Sequence, residues 1–558
     1  MSNLLSLIVF LPMIGGLLCL FVPRKQVRVV AVAAAGLTLL VSLALFGTFL
    51  EAWGGDGSQV AAVFGSSYGT LHHVERAAWI TGDQFNIEYF LGVDGLGFPL
   101  VVLTTLVSFL ACLASWNFDT WKIKKGIRAY FFLFLMLETG MLGVFVALDF
   151  FLFYIFWEVM LLPMYFLIGV WGGARKEYAA IKFFLFTLAG SVLMLVALVA
   201  MFFYSDAAIT AHMQQQGVAG VASVYRTDGT MLTHGTFDLI ELSTNPIIQE
   251  YFGANSTAFL GVKFATVMFV FLFIGFAIKL PIVPLHTWLP DAHVEAPTPI
   301  SMILAGVLLK MGGYGFLRIC YPIFPTGAEY WAFLLALIGI VSILYGALCA
   351  MAQTDFKKLV AYSSVSHMGF VLLGIAVMTP AGFQGAMFQM LAHGISSPMC
   401  FFLVGVIYDR AHHRVINRFG GLWLTMPKYG TMATIGFFAS LGLPGMCGFI
   451  GEVWVLLGVF SAGDKFTWAY PMAIIATAAV ILTAGYILWL VRRVYLGNER
   501  EEYSGFSDVS AREMFILAPL AVLCIALGVL PMQTVFNFTN GTLDLMLAQV
   551  VGAIASLG

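Results

Sequence analysis

The chain has 558 residues, 61% of them hydrophobic and only 10% charged, with a formal net charge of −2. Soluble globular domains carry about 25% charged residues, so a water-soluble globular protein is excluded and the composition is that of an all-α polytopic membrane protein. The few charges are dispersed over loops, which leaves no nucleic-acid-binding face and makes the lipid bilayer the solvent of most of the chain.

A run of about 20 apolar residues can span the hydrocarbon core. In chain order about fourteen runs qualify, at about 4–22, 28–49, 91–114, 129–147, 150–170, 181–204, 260–280, 299–319, 329–351, 358–378, 383–408, 430–459, 468–490 and 513–533. No basic residue precedes the first run, and Arg24, Lys25 and Arg28 follow it. A secretory signal carries its charge first, so this run is read as a retained helix that starts outside. The tail from Leu543 to Leu557 is read as a shorter, weakly amphipathic helix lying against the rest of the assembly.

Charge tests this topology. With an outside start, alternate loops hold 20 of the 27 Lys and Arg residues, among them Lys122, Lys124, Lys125, Arg175, Lys176, Lys357, Lys358, Arg410, Arg414 and Arg512. Arg76, Arg226, Arg318 and Lys465 fall on the other side. Basic loops stay cytoplasmic, so both termini and the long loops at about 50–90 and 206–258 are expected on the periplasmic side of a bacterial inner membrane. The chain divides into 1–90 (two helices and an outer loop), 91–330 and 331–495 (two half-channel repeats), and 496–558 (the last span and the tail).

Two spans are interrupted. Pro281 and Pro284 follow Lys279, and Leu443-Pro444-Gly445 lies just before Glu452. Proline removes a helix donor and clashes with the preceding turn; membranes tolerate this where protein or water satisfies the freed groups. Paired breaks in two halves of a chain point to an inverted repeat with an ion path at mid-membrane.

The informative residues are ionisable groups deep in apolar runs: Glu158, Lys279, Lys310, His367, His393 and Glu452. A lysine at bilayer depth costs about 2.5–3.5 kcal/mol on translocon scales, and this chain bears that cost twice, at Lys279 and Lys310. Burial favours the neutral amine and a nearby carboxylate the ammonium, so a Lys–Glu pair can switch its hold on a proton, with histidine relaying near neutral pH. The rival readings are a structural ion pair for Glu158 and Lys279, snorkelling for Lys310, a structural partner of the broken helix for Glu452, and helix–helix hydrogen bonds for the two histidines. Asp94 and Asp149 are read as helix-end caps and Lys263 as snorkelling; Glu138 stays open between both readings.

His286, Asp291 and His293 are separated by prolines and lack helical metal-pair spacing. They are read as lining a cytoplasmic access to the lysines, with no metal. The seven cysteines form no CxxC pair, which argues against an iron–sulfur or zinc site. Asn255, Asn537 and Asn540 head sequons that carry no meaning in a bacterial inner membrane.

FWEVMLLPMYFLIG (156–169), KLPIVPLHTWLPDAHVEAPTPISMILAGVLLKMGGYG (279–315), AYSSVSHMGFVLLG (361–374) and LPGMCGFIGE (443–452) resemble the antiporter-like subunits of respiratory complex I, above all the M-type branch, called subunit 4 in mitochondria. The resemblance covers about 93–495. It implies fourteen helices, two inverted five-helix repeats and two broken helices. It makes Glu158 the acid of the fifth helix, Lys279 the lysine of the broken seventh, Lys310 the connecting lysine of the eighth, His367 and His393 the central histidines, and Glu452 the terminal acid of the broken twelfth. It also implies a translocase subunit that moves protons, driven by quinone reduction elsewhere, beside L- and N-type neighbours. No cofactor is expected in this chain; FMN, Fe–S clusters and quinone belong to other subunits. A subunit of a multi-subunit Na⁺/H⁺ antiporter and a membrane scaffold for a redox arm are the alternatives. Glu452, where the L- and N-type relatives are expected to have lysine, favours the first reading.

Overall fold

A computed structural model of the chain describes residues 3–47, 71–82, 85–120, 125–216, 224–226, 229–253 and 262–557. Lys122, Lys124, Asn255 and parts of both long loops lie outside the described residues. Apolar helices dominate. In order they are α1 (Leu4–Phe21), α2 (Val27–Gly47), α3 (Gly97–Asn117), α4 (Ile127–Val146), α5 (Phe150–Trp171), α6 (Lys176–Gln214), α7 (Phe264–Lys279), α8 (Trp288–Glu295), α9 (Thr298–Ile323), α10 (Pro325–Met351), α11 (Phe356–Ala376), α12 (Pro380–Ala411), α13 (Pro427–Leu441), α14 (Cys447–Ser461), α15 (Ala469–Val494), α16 (Ala511–Val529) and α17 (Met532–Ser556). Among the described residues, 14 helices are long and apolar enough to cross a membrane.

The two expected breaks are present. The seventh predicted span splits into α7, which ends at Lys279, and α8. The intervening turn is held by Trp288 Nε1 on the Ile278 carbonyl (2.9 Å) and by the Val283 N–H on Ser342 Oγ (3.0 Å). The twelfth splits into α13 and α14, with Gly442 (φ +79°) and Gly445 (φ +87°) in the left-handed region on either side of Leu443-Pro444.

Antiparallel strands β1 (His72–Thr81) and β2 (Asn86–Val93) mark one face of the bundle. The α4–α5 turn docks on them: the Leu148 N–H donates to the Phe90 carbonyl (2.9 Å), and the Leu239 N–H to the Leu148 carbonyl (2.9 Å). The opposite, basic face is knitted by Lys182–Asp291 (2.7 Å), Arg414–Asp355 (3.1 Å) and Arg410–Glu513 (2.9 Å). Lys357, expected in a loop, lies inside the first turn of α11, where it is buried and donates to the Ala296 carbonyl (2.6 Å).

The tail helix is longer than expected, because it starts at Met532 rather than Leu543. Its length would span a bilayer, yet its polar contacts all lie on the strand face. The Gly95 N–H reaches Thr542 (3.1 Å), Gln384 reaches Asp544 (3.0 Å), and Gln549 donates to the Ser243 carbonyl. It therefore lies across that face.

Helices α9 and α12 are wholly buried over their apolar windows, against 28% for α2. A charge on either meets protein rather than lipid. Arg318, counted with the outer-side charges at the end of the 299–319 run, sits buried near the end of α9 with both oxygens of Asp94 at 2.6 Å. Asp94 also caps α3 through the Leu96 and Gly97 N–H groups (3.1 and 3.0 Å), so its capping role is joined by an ion pair that its sequence position concealed. Lys263 lies exposed at the start of α7.

Two predictions follow from these anchors. Asp94→Ala leaves the Arg318 charge buried and unpaired, a loss of about 3–5 kcal/mol; the double variant with Arg318→Met recovers most of it, as read from thermal unfolding. At the strand junction, burial pushes the Asp149 carboxyl up to about 7, opposed by the Leu152 and Glu88 N–H groups, and that of Asp238 up to about 6, opposed by Arg76. Each acid holds its proton more tightly folded than unfolded, so the junction is firmest at low pH and loosens as pH rises from about 4 to about 7. Hydrogen exchange of β1 and β2, corrected for intrinsic rates, rises across that range. It stays flatter in Asp149→Asn, which keeps a capping side chain but cannot ionise.

Candidate functional site

The structure brings four of the six predicted residues into one buried line. Lys310 lies mid-way along α9, between π-turns at Leu304–Leu308 and Phe316–Cys320. Such turns are frequent at functional sites. Its Nζ donates to the Ala305 carbonyl and lies 2.7 Å from His393 Nδ1. Snorkelling is thereby ruled out: the amine points into the bundle and is fully buried. His393 Nε2 meets Ser364 Oγ at 3.0 Å. The His393 and His367 rings are 5.5 Å apart between centroids. His367 Nδ1 faces Glu452 Oε1 at 3.4 Å and the Gln389 side-chain amide at 3.3 Å, and its Nε2 faces Ser440 Oγ at 3.2 Å.

Five helices, α9, α11, α12, α13 and α14, contribute to this line. Residues three or four apart share a helix face, which is why Ser364 joins His367 and Gln389 joins His393. Sequence reasoning missed Ser364, Gln389 and Ser440; for Ser364 and Gln389 the three- and four-residue spacing from a histidine was the available signal, and Ser440, on another helix, carried none. The break between α13 and α14 sets Glu452. Gly442 holds the left-handed backbone that favours glycine, and a Cβ there would lie 2.8 Å from Glu452 Oε2, so the carboxylate would have to move aside.

Lys279 and Glu158 stand apart from that line. Lys279 Nζ ends α7, is buried and has no hydrogen-bond partner, with the Trp157 ring 4.9 Å away and the Phe183 ring 6.0 Å away. Glu158, half-buried on α5, acts on Lys279 through space and forms no ion pair with it among the described residues. The rival reading of the two as a locked structural pair therefore fails in this conformation.

Other polar groups are buried elsewhere in the bundle. Glu138 is fully buried, and among the described residues neither carboxyl oxygen has a hydrogen-bond partner. His293 is buried, stacked on Phe401 (4.4 Å, 7°), with neither ring nitrogen hydrogen-bonded. Asp291, read with it as an access residue, pairs with Lys182 and Arg175 at the basic face (2.7 and 3.6 Å). His286 packs edge-on against Tyr345 at 5.2 Å.

Known proteins resemble the chain in sequence and fold. Residues 147–483 match the family model described as NADH:quinone oxidoreductase/Mrp antiporter, TM, and residues 77–143 match NADH-ubiquinone oxidoreductase chain 4, amino terminus. NADH-quinone oxidoreductase subunit M of Rhodobacter capsulatus is 43% identical, covering 95% of this chain and 94% of its own. A chain of respiratory complex I from Thermus thermophilus superposes with a TM-score of 0.75 at 29% identity, covering 99% of both chains. A chain of the Mrp complex from Dietzia sp. shares the fold, with a TM-score of 0.74 at 20% identity, covering 100% of this chain and 99% of its own.

Gly442→Ala is expected to cost about 1–2 kcal/mol from its left-handed backbone and to push Glu452 from His367. Thermal unfolding measures the first effect, and an unchanged melting temperature would contradict the geometry.

Proposed function

Starting from the family to which the chain belongs, the NADH:quinone oxidoreductase/Mrp antiporter membrane subunits, we propose that Glu158, Lys279, Lys310, His393, His367 and Glu452 transfer protons across the membrane arm of a quinone oxidoreductase. The chain is a subunit of that translocase, set among L- and N-type antiporter-like neighbours. Quinone reduction elsewhere in the assembly supplies the drive. The observation that carries the reading is the buried series of ionisable groups from Lys310 through His393 and His367 to Glu452, with Lys310 at 2.7 Å from His393, the two rings 5.5 Å apart between centroids and His367 at 3.4 Å from Glu452.

The chemistry rests on opposed forces at each amine. Desolvation favours neutral lysine, and an approaching carboxylate favours the ammonium. Lys279 has no hydrogen-bond partner and Glu158 stands off, so a small shift of either changes how firmly the proton is held. The proline break after Lys279 gives that end of α7 a turn to move on. At Lys310 the neighbour is an imidazole, which can accept the proton and pass it toward His367. Glu452 ends the series as an acceptor. Buried polar groups without protein partners are ordinarily satisfied by water, and Lys279 Nζ, both His293 nitrogens and Gln389 Oε1 mark where water would join the helices.

In this reading the broken elements α7–α8 and α13–α14 each belong to one of two half-channel repeats, about 91–330 and 331–495, related by inversion. The basic face is cytoplasmic, the strand face periplasmic and both termini periplasmic, in a bacterial inner membrane.

Replacing Lys279 with alanine tests the proposal. The assembly still forms, and NADH-driven proton uptake into vesicles falls by at least about tenfold. A scaffold would assemble and pump normally with that change, so normal pumping defeats the role given to Lys279.

A further inference from the structure

On the basic face, a crevice of about 1020 Å³ opens between the ends of α3 and α12 and the beginnings of α9 and α16. It is remote in chemistry from the proton line: it pairs a basic rim with an apolar wall. Ala114, Phe402 and Val406 form part of the wall, and Lys357, Arg410 and Arg512 lie around the rim.

The charges at this rim do not cancel. Arg410 is spent on Glu513, through bonds of 3.1 and 2.9 Å, and Glu513 is further used by the Ser510 N–H (2.7 Å). Glu295 accepts from the Arg175 N–H (2.9 Å). Asp409 is exposed at the edge. Arg414 pairs with Asp355 (3.1 Å), and Lys176 donates to the Val170 carbonyl (2.8 Å). Two further lining cations keep unused donors. Lys357 donates to one carbonyl and pairs with no carboxylate among the described residues. Arg512 forms no ion pair among them; its Nη1 has no acceptor, and Glu513 and Asp409 act on it only through space.

We propose that this crevice binds the phosphate of an anionic phospholipid, with Arg512 and Lys357 as its cations and the acyl chains along the Phe402 wall. A phosphate diester offers the acceptors these donors lack, and arginine suits planar, forked recognition of phosphate. Basic pockets between spanning helices on the cytoplasmic side are suited to anionic head groups. The same phosphate chemistry could come from a soluble anion, but a soluble anion has no use for an apolar wall at membrane depth.

The test uses the intact assembly, delipidated and returned to phosphatidylcholine vesicles with or without phosphatidylglycerol. Native mass spectrometry after extraction counts retained lipid. The unmodified assembly retains phosphatidylglycerol over phosphatidylcholine, and added inorganic phosphate does not displace it. Arg512→Gln weakens retention at this site about fivefold, as loss of one basic contact predicts. Arg512→Lys restores part of it, and proton-coupled turnover is unchanged in both. No preference for phosphatidylglycerol in the unmodified assembly, equal retention in Arg512→Gln, or displacement by inorganic phosphate would each overturn the proposal.

Discussion

The contact between the Lys310 amine and the His393 ring, 2.7 Å apart in the centre of the bundle, is the constraint around which the rest is built. An amine in low dielectric needs either a partner or a way to lose its charge. This chain gives it an imidazole, a carbonyl and, among the described residues, no carboxylate in contact. A permanently charged lock would place an acid there. An imidazole, unlike a carboxylate, is a neutral group that can accept a proton near neutral pH.

Burial of the carrying helices makes that arrangement possible. α9 and α12 are wholly buried over their apolar windows, so lysine and histidine there are surrounded by other helices rather than drawn to the bilayer surface. The outer anchors are of a different kind. Arg318–Asp94 is a fixed, two-pronged ion pair that ties α9 to the start of α3. The contrast separates the two uses of buried charge in one helix: a committed pair at its end and an uncommitted amine at its centre.

Much of this was legible in the sequence, because a lone ionisable residue inside an apolar run is conspicuous. Lys279, Lys310, Glu158, His367, His393 and Glu452 stood out for that reason, as did the proline breaks at Pro281 and Pro444. Ser364, Gln389 and Ser440 did not, since small neutral polar residues are common in membrane helices and draw notice only once their neighbours are placed. The Asp94–Arg318 pair was hidden by its separation along the chain; local context offered only a cap and an outer-side charge at the end of a run. The tail helix was taken as short because its apolar pattern is weak near Met532, and only its contacts on the strand face place it. The stand-off between Glu158 and Lys279 depends on side-chain reach across two helices, which no periodicity encodes.

The central claim is that hydrated contacts join these buried groups into a proton path. A cryo-electron microscopy map of the intact assembly in lipid, fine enough to show ordered water, tests it most directly. The account predicts water density at Lys279 Nζ and at the His293 ring, continuous with the Lys310–His393 contact. Packed apolar side chains filling the space between Lys279 and Lys310, with no water beside either amine, would contradict it.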